Sequence, residues 1–135
     1  MNNIDNLIEN LNKEQKEAVL STEGPNLIVA GAGSGKTRVL TTRLIHIINQ
    51  KKAWANQILC VTFTNKAAKE MQSRVMQYVK GNSNAVPWLG TFHSISVKFL
   101  RRHAEALEYK SNFTILDTDD QKKLIRNIVK SEDLD

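Results

Sequence analysis

Residues 30–37 read A-G-A-G-S-G-K-T. They follow a short apolar run, Leu27-Ile28-Val29, and precede a helical pattern that opens at Lys36. A strand, a glycine-rich turn and Gly-Lys-Thr opening a helix together make a phosphate-binding loop. The glycines let successive backbone N–H groups point inward with no Cβ in the way. The helix N-terminus behind them adds unsatisfied donors and partial positive charge. Lys36 is placed to reach β and γ phosphates, and the Thr37 hydroxyl to ligate Mg²⁺. The stretch Ala30, Gly31, Ala32, Gly33, Ser34, Gly35, Lys36 and Thr37 is therefore expected to seat a nucleoside triphosphate. One position departs from the pattern, because Ala30 stands where a glycine is usual, but alanine is small enough to keep the loop. A plain glycine-rich turn ahead of a helix is the alternative. It does not explain why the Lys-Thr pair, the strand and the helix all agree.

Outward from the loop, helical and extended patterns alternate. Ile4, Leu7, Ile8 and Leu11 recur at helical spacing. Asn12 with Gln15 has the form of a capping box for a helix through about Leu20. A turn at 21–25 leads to a strand expected at Asn26 to Ala30, apolar without alternation, as in a parallel strand buried on both faces. A helix is expected from Lys36 to about Gln50, with Val39, Leu40, Leu44, Ile47 and Ile48 inward. A second strand is read at Ile58 to Phe63, with Cys60 as a small core residue. Asn65 is read as the cap of a helix reaching about Val79, on which Glu70 and Arg74 form an i,i+4 pair. Gly81 to Asn84 ends it, and a third strand is read at Val86 to Leu89. A long helix is expected from Thr91 to about Leu107, with Ile95, Phe99, Leu100, Ala104 and Leu107 inward. A strand-like run at Phe113 to Leu116 and a last helix capped by Thr118 with Gln121 complete the order. Strands alternating with helices give the α/β class with a parallel sheet.

The 135 residues suffice for one domain with its own core. No apolar run approaches the roughly 18 residues of a membrane span, so no membrane partner is expected. The start M-N-N-I-D-N lacks the basic and apolar regions of a signal peptide, and a cytoplasmic location fits best. The single cysteine excludes an internal disulfide and a cysteine-based metal cluster. A net charge of +5 favours a polyanionic partner without requiring one.

Hydrolysis at a phosphate loop needs a second element, an apolar strand ending in Asp or Asp-Glu. Of the strand ends, only Phe113-Thr114-Ile115-Leu116-Asp117 carries an acid. Asp117 also reads as an ordinary helix-start residue ahead of D-D-Q-K-K-L. The other strand ends carry Thr62-Phe63-Thr64-Asn65-Lys66 and Gly90-Thr91-Phe92-His93-Ser94. In a doubly wound sheet this edge is where ligands bind. Hydroxyls, amides and helix N-termini suit phosphate oxygens, and Phe63 suits stacking on an unpaired base. Core phenylalanines and capping threonines are the alternative for either stretch alone. Two such stretches on one edge with a phosphate loop, in a basic chain, favour nucleic acid.

The stretches L-N-K-E-Q-K-E-A-V (11–19), A-G-A-G-S-G-K-T-R (30–38), I-L-C-V-T-F-T-N-K-A-A-K-E-M (58–71), G-T-F-H-S (90–94) and F-T-I-L-D-T-D-D-Q (113–121) resemble the ordered opening motifs of the UvrD/Rep/PcrA-type superfamily 1 DNA helicases. The resemblance spans nearly the whole chain, and T-F-T-N-K-A-A and G-T-F-H-S are far more specific than a phosphate loop. It implies a RecA-like P-loop fold, ATP and Mg²⁺ as cofactors, and single-stranded DNA as partner. It implies that Gln15 reads the adenine edge, in competition with its capping role, and that Arg38 packs near the adenine. It implies DNA contacts from Phe63, Thr64 and Asn65, and from Thr91 and His93. His46 and His103 have no such support and read as surface or packing residues.

Members of that family are several times longer. The resemblance implies that the chain is the N-terminal part of the first motor domain (1–110), with 111–135 beginning an inserted helical subdomain. The Asp-Glu strand, the γ-phosphate-sensing arginine and the second motor domain would then belong to the missing remainder of the helicase. A sheet cut short exposes an edge, so self-association or partial disorder after about Lys110 is expected. The function implied is the ATP-binding start of a 3′-to-5′ helicase or translocase acting in repair or replication, with no turnover by this chain alone. Two rivals stand beside it. One is a stand-alone P-loop nucleotide kinase or NTP-binding switch relying on Asp117. The other is a non-catalytic nucleic-acid-binding module.

Overall fold

A computed structural model describes residues 4–79 and 86–133. The chain divides into two compact units, Met1–Ser96 and Val97–Asp135. The first carries α1 (Ile4–Glu9), α2 (Lys13–Leu20), α3 (Lys36–Asn49), β1 (Cys60–Thr62), α4 (Asn65–Met76) and β2 (Leu89–Thr91). α5 (Phe92–His103) runs through the division, and α6 (Thr118–Ser131) lies in the second unit. Strands β1 and β2 pair in parallel, with Cys60 opposite Leu89 and Thr62 opposite Thr91. The result is a mixed helix-and-strand structure with a small parallel sheet, compatible with part of an α/β fold.

The core of the first unit joins Leu44 and Ile45 of α3, Cys60 of β1, Met71 and Val75 of α4, Val86, and Leu89 of β2. A second cluster joins Leu11, Val19 and Val39, so α2 and α3 are held together by aliphatic burial near the loop. Arg43 strengthens that joint. Its Nη1 donates to the carbonyls of Ala18 (2.6 Å) and Ser21, taking up acceptors that the end of α2 leaves unpaired.

Several expectations are corrected. Asn26 to Ala30 is not a paired strand. Leu27 and Val29 are 91% and 90% exposed, and among the described residues no backbone–backbone hydrogen bond involves 27–29. An apolar run becomes a strand only beside another strand, and the two-stranded sheet is closed by β1 and β2 alone. The second strand is shorter than expected, with Leu59 and Phe63 exposed beyond its core residues. The third begins at Leu89 rather than Val86, because Leu89 N–H donates to the Val86 carbonyl in a turn first. Phe113 to Leu116 forms no strand. The ending expected at Gly81 to Asn84 lies outside the described residues.

Cap and core assignments also move. Thr64, not Asn65, caps α4, its Oγ1 accepting from Ala67 N–H at 3.2 Å. Asp117, not Thr118, caps α6. The long helix breaks at His103 into a 3₁₀ turn, Ala104–Leu107, ended by Glu108 at φ 60°. Phe99, Leu100 and Leu107 are exposed there, as is Leu40 on α3. Helical spacing marks a face but does not supply what covers it.

Candidate nucleotide and nucleic-acid sites

The loop is built by side-chain-to-backbone bonds. Ser34 Oγ donates to the Gly31 carbonyl at 2.7 Å, closing the turn. Gly35 begins α3 at φ 83°, a conformation that costs a side-chain-bearing residue about 1 kcal/mol or more. A Cβ there would also stand 3.2 Å from Gln15 Nε2. Lys36 Nζ donates to the carbonyls of Gly31 (2.6 Å) and Ala30 (3.2 Å), so its ammonium sits over the loop. Behind it stands a 14-residue helix whose first N–H groups face the same loop. Thr37 is the next residue, and its carbonyl accepts from Thr41 Oγ1 at 2.6 Å.

Gln15 does more than cap. Its Oε1 accepts from Asn12 N–H (3.1 Å) while Asn12 Oδ1 accepts from Gln15 N–H (2.8 Å), completing the capping box. Its Nε2 donates to the Ser34 carbonyl at 3.0 Å. One carboxamide thus ties the start of α2 to the phosphate loop. The competition foreseen between capping and adenine contact is not absolute, since an amide oxygen has two lone pairs and the nitrogen two hydrogens. Arg38 turns toward the same segment, its Nη2 donating to the Asn10 carbonyl at 3.1 Å. A cavity of about 500 Å³ opens beneath the loop between Gln15, Ala18, Ile28, Lys36, Val39 and Leu40. Its wall is apolar because the unpaired 26–30 segment and α3 both turn aliphatic residues into it.

These features fit a triphosphate: a glycine-rich turn, a helix N-terminus and a lysine already bonded to oxygen acceptors. For Mg²⁺ the fit is narrower. Among the described residues no group of three or more His, Cys, Asp or Glu could hold a metal ion. A cation would arrive with the phosphates and take the Thr37 hydroxyl as its protein ligand.

The aligned register of the parallel pair sets a second site. Thr62 and Thr91 are partners, so the next residues, Phe63 and Phe92, emerge side by side. Their ring centroids lie 5.3 Å apart at 49°, yet Phe63 is 89% exposed and Phe92 about half exposed. An aromatic pair left in water at strand ends is a platform looking for a planar partner. Around it the polar groups fall into two classes. Asn65 and His93 are exposed at the starts of α4 and α5. Thr64 and Thr91 are caps. Thr91 is buried, its Oγ1 accepting from Ser94 N–H (3.1 Å) and its own N–H donating to Ser94 Oγ (3.0 Å). Gly90 is required beside it, since a Cβ would meet Ser94 Oγ at 2.7 Å. Phe92 and Ser94 were not singled out as site residues from sequence. The identical strand-end position of the two phenylalanines was the signal that could have found Phe92.

Asp117 accepts from the N–H groups of Asp119 (2.9 Å) and Asp120 (2.8 Å), an ordinary N-cap. His46 is buried on α3, with Nδ1 unpartnered among the described residues. Burial pushes its pKa below the ordinary 6.5, and the charges of Lys52 and Arg43 add to the effect. Burial pushes the Cys60 thiol up to about 11, which makes it a core residue without nucleophilic character. His103 is exposed.

The family model described as "UvrD/REP helicase N-terminal domain" matches residues 11–135. The chain is 52% identical over 129 residues to a protein named ATP-dependent DNA helicase PcrA from Staphylococcus epidermidis, covering 96% of this chain and 18% of that protein. It is 50% identical over the same span to the protein of that name from Staphylococcus aureus, with the same coverage. The chain thus spans about a fifth of the length of these relatives.

Proposed function

Because the chain belongs to the UvrD/Rep helicase N-terminal domain family, we propose that it forms the ATP-binding start of the RecA-like first motor domain of a 3′-to-5′ DNA helicase or translocase. Its nucleic-acid substrate is single-stranded DNA, and its setting is cytoplasmic repair or replication. Residues 111–135 begin an inserted helical subdomain, and the remainder of the helicase supplies the other half of the catalytic site. The observation that carries this reading is the exposed Phe63–Phe92 pair, placed by strand register at the sheet's carboxyl edge in the same unit as the phosphate loop.

In this reading the triphosphate replaces the Ala30 and Gly31 carbonyls as acceptor for Lys36. The loop N–H groups bind its oxygens, and Arg38 lies beside the nucleoside. Mg²⁺, when bound, neutralises phosphate charge, with Thr37 as its protein ligand. Gln15 keeps the loop in register with α2. Phe63 and Phe92 stack on bases, while Asn65, His93 and the starts of α4 and α5 take backbone phosphates. Thr64 and Thr91 act mainly by holding those helix starts. With Asp117 engaged as a cap, the chain alone binds ATP without turning it over. The same engagement weakens the nucleotide-kinase alternative, which needs that carboxylate. The exposed 27–29 segment supports self-association of the isolated chain.

The test is titration of fluorescent single-stranded DNA at two salt concentrations with wild type and Phe63→Ala. Binding that falls with salt and weakens on average ~10-fold in the variant is expected, since base–aromatic stacking contributes about 1–3 kcal/mol. Unchanged DNA affinity in Phe63→Ala would remove the platform from the account.

A further inference from the structure

Residues 27–29 form a bare edge that is fixed at both ends. Before them, Asn26 is tied into the preceding turn, its Oδ1 accepting from Ser21 Oγ at 2.8 Å and its Nδ2 donating to the Gly24 carbonyl at 3.0 Å. After them, the carbonyls of Ala30 and Gly31 accept from Lys36 Nζ. Between these anchors Leu27 and Val29 stand 91% and 90% exposed, while Ile28 is half-buried against the cavity under the loop. We propose that this edge pairs with the same edge of a second copy of the chain, antiparallel about a two-fold axis at Ile28, and that the pairing competes with a nucleoside triphosphate. This gives self-association a surface and a register, and its second half rests on the phosphate-loop reading of residues 30–37.

Four features carry the pairing. The first is hydrogen bonding. Among the described residues no backbone–backbone bond involves 27–29, so the edge offers both donors and acceptors to an identical edge. The second is preorganisation. Leu, Ile and Val suit a strand, and the anchors on either side lower the cost of ordering them. The third is charge. The chain carries +5, yet residues 24–35 contain no charged side chain, so two copies meet here without like charges. The edge also lacks the lysine or central proline that blocks pairing in other edge strands. The other bare apolar face, on α6, has Lys122, Lys123, Arg126 and Lys130 interleaved with its aliphatic residues, and two copies would meet there cation to cation. The fourth is register. A closed two-fold pair of identical edges is antiparallel, with Leu27 opposite Val29 of the second copy and Ala30 opposite Asn26 of the second copy. The turn at Gly24 and Pro25 of the second copy then lies abreast of Gly31 and Ala32, at the mouth of the phosphate loop. A triphosphate on the loop and a second copy beside it exclude each other.

The experiment is sedimentation equilibrium of the 135-residue chain from about 10 µM to about 1 mM, the dissociation range of a small interface, with and without MgATP. Wild type is compared with Leu27→Lys and Ile125→Lys, both at exposed positions. The expected result is a dimer that Leu27→Lys abolishes and Ile125→Lys retains, and that saturating MgATP weakens about tenfold by mutual exclusion. Oxidative cross-linking reads the register. Antiparallel partners have Cα atoms about 4.5–5.5 Å apart, within disulfide reach, so Ile28→Cys should cross-link across the axis and Leu27→Cys should not. A wild type monomeric throughout overturns the pairing, as does a dimer that survives Leu27→Lys or is lost in Ile125→Lys. Equal cross-linking of the two cysteine variants overturns the register. A dimer indifferent to MgATP that the chain demonstrably binds overturns the competition and leaves the phosphate loop standing. A chain that dimerises as expected but binds no MgATP overturns the competition and the loop reading together, and leaves the pairing supported.

Discussion

Gln15 offers a way to separate helix capping from loop support, because its two ends do different jobs. Replacing it with glutamate keeps an oxygen on Asn12 N–H, 3.1 Å away in the native bond, and glutamate is a favoured residue at this capping-box position. The same change sets an oxygen where Nε2 now donates to the Ser34 carbonyl at 3.0 Å, turning an attraction into a contact between two acceptors. Replacing it with alanine removes both bonds. A neutral hydrogen bond of this kind contributes about 1 kcal/mol, and a capping interaction about 1 kcal/mol. Gln15→Ala is therefore expected to lower the melting temperature by roughly 7 °C, at about 3–4 °C per kcal/mol for a chain of this size, and Gln15→Glu by about half of that. Amide hydrogen exchange without nucleotide discriminates further. In both variants the amides of Ser34 to Thr37 should exchange about fivefold faster, the equivalent of ~1 kcal/mol of local stabilisation lost. In Gln15→Glu the first turn of α2 should keep its native protection. Loop amides in Gln15→Glu that exchange at the wild-type rate would refute the reasoning and reduce Gln15 to a cap.

Two further outcomes follow from buried titratable groups. His46 resists protonation in the folded chain, whereas the unfolded chain takes up a proton near the ordinary 6.5. Stability is therefore complete above that pH and falls as pH drops below it, with a limiting slope of about 1.4 kcal/mol per pH unit. Thermal melts between pH 7.5 and 5 should show this decline, and His46→Gln should flatten it; an equal decline in the variant would assign the effect elsewhere. Cys60, buried with its thiol raised to about 11, should stay unreactive toward a thiol reagent at pH 8 until the chain unfolds. Rapid modification of the native protein would show that the β1 core is not closed.

What was legible in the sequence was what depends on near neighbours in the chain. The capping box of Asn12 and Gln15 and the Glu70–Arg74 pair at 2.6 Å both join residues within a few positions of one another. Cys60 was legible as core because a small apolar residue in a β-prone run has few other places to go. The strands were less so. Leu27-Ile28-Val29 has the composition of a buried strand, but pairing is decided by a distant partner, and the described residues offer none. For the same reason Leu40, Phe99, Leu100 and Leu107 were assigned inward from spacing and are found exposed. The second role of Gln15, its bond to Ser34 across 19 positions, left no local signal. The Phe63–Phe92 pair depends on the register of two strands far apart in sequence, which motif reading alone does not supply.

The central claim is that residues 30–37 hold a nucleoside triphosphate through Lys36 in a chain that lacks the means to hydrolyse it. Calorimetric titration of wild type and Lys36→Ala with MgATP, followed by a phosphate-release assay with single-stranded DNA on the same samples, tests it most directly. The account predicts binding by the wild type, a loss of about 10- to 100-fold in Lys36→Ala, the equivalent of one or two charge-assisted hydrogen bonds, and no phosphate release above background. Equal MgATP affinity in the two proteins would contradict it, and so would DNA-stimulated turnover that disappears with Lys36.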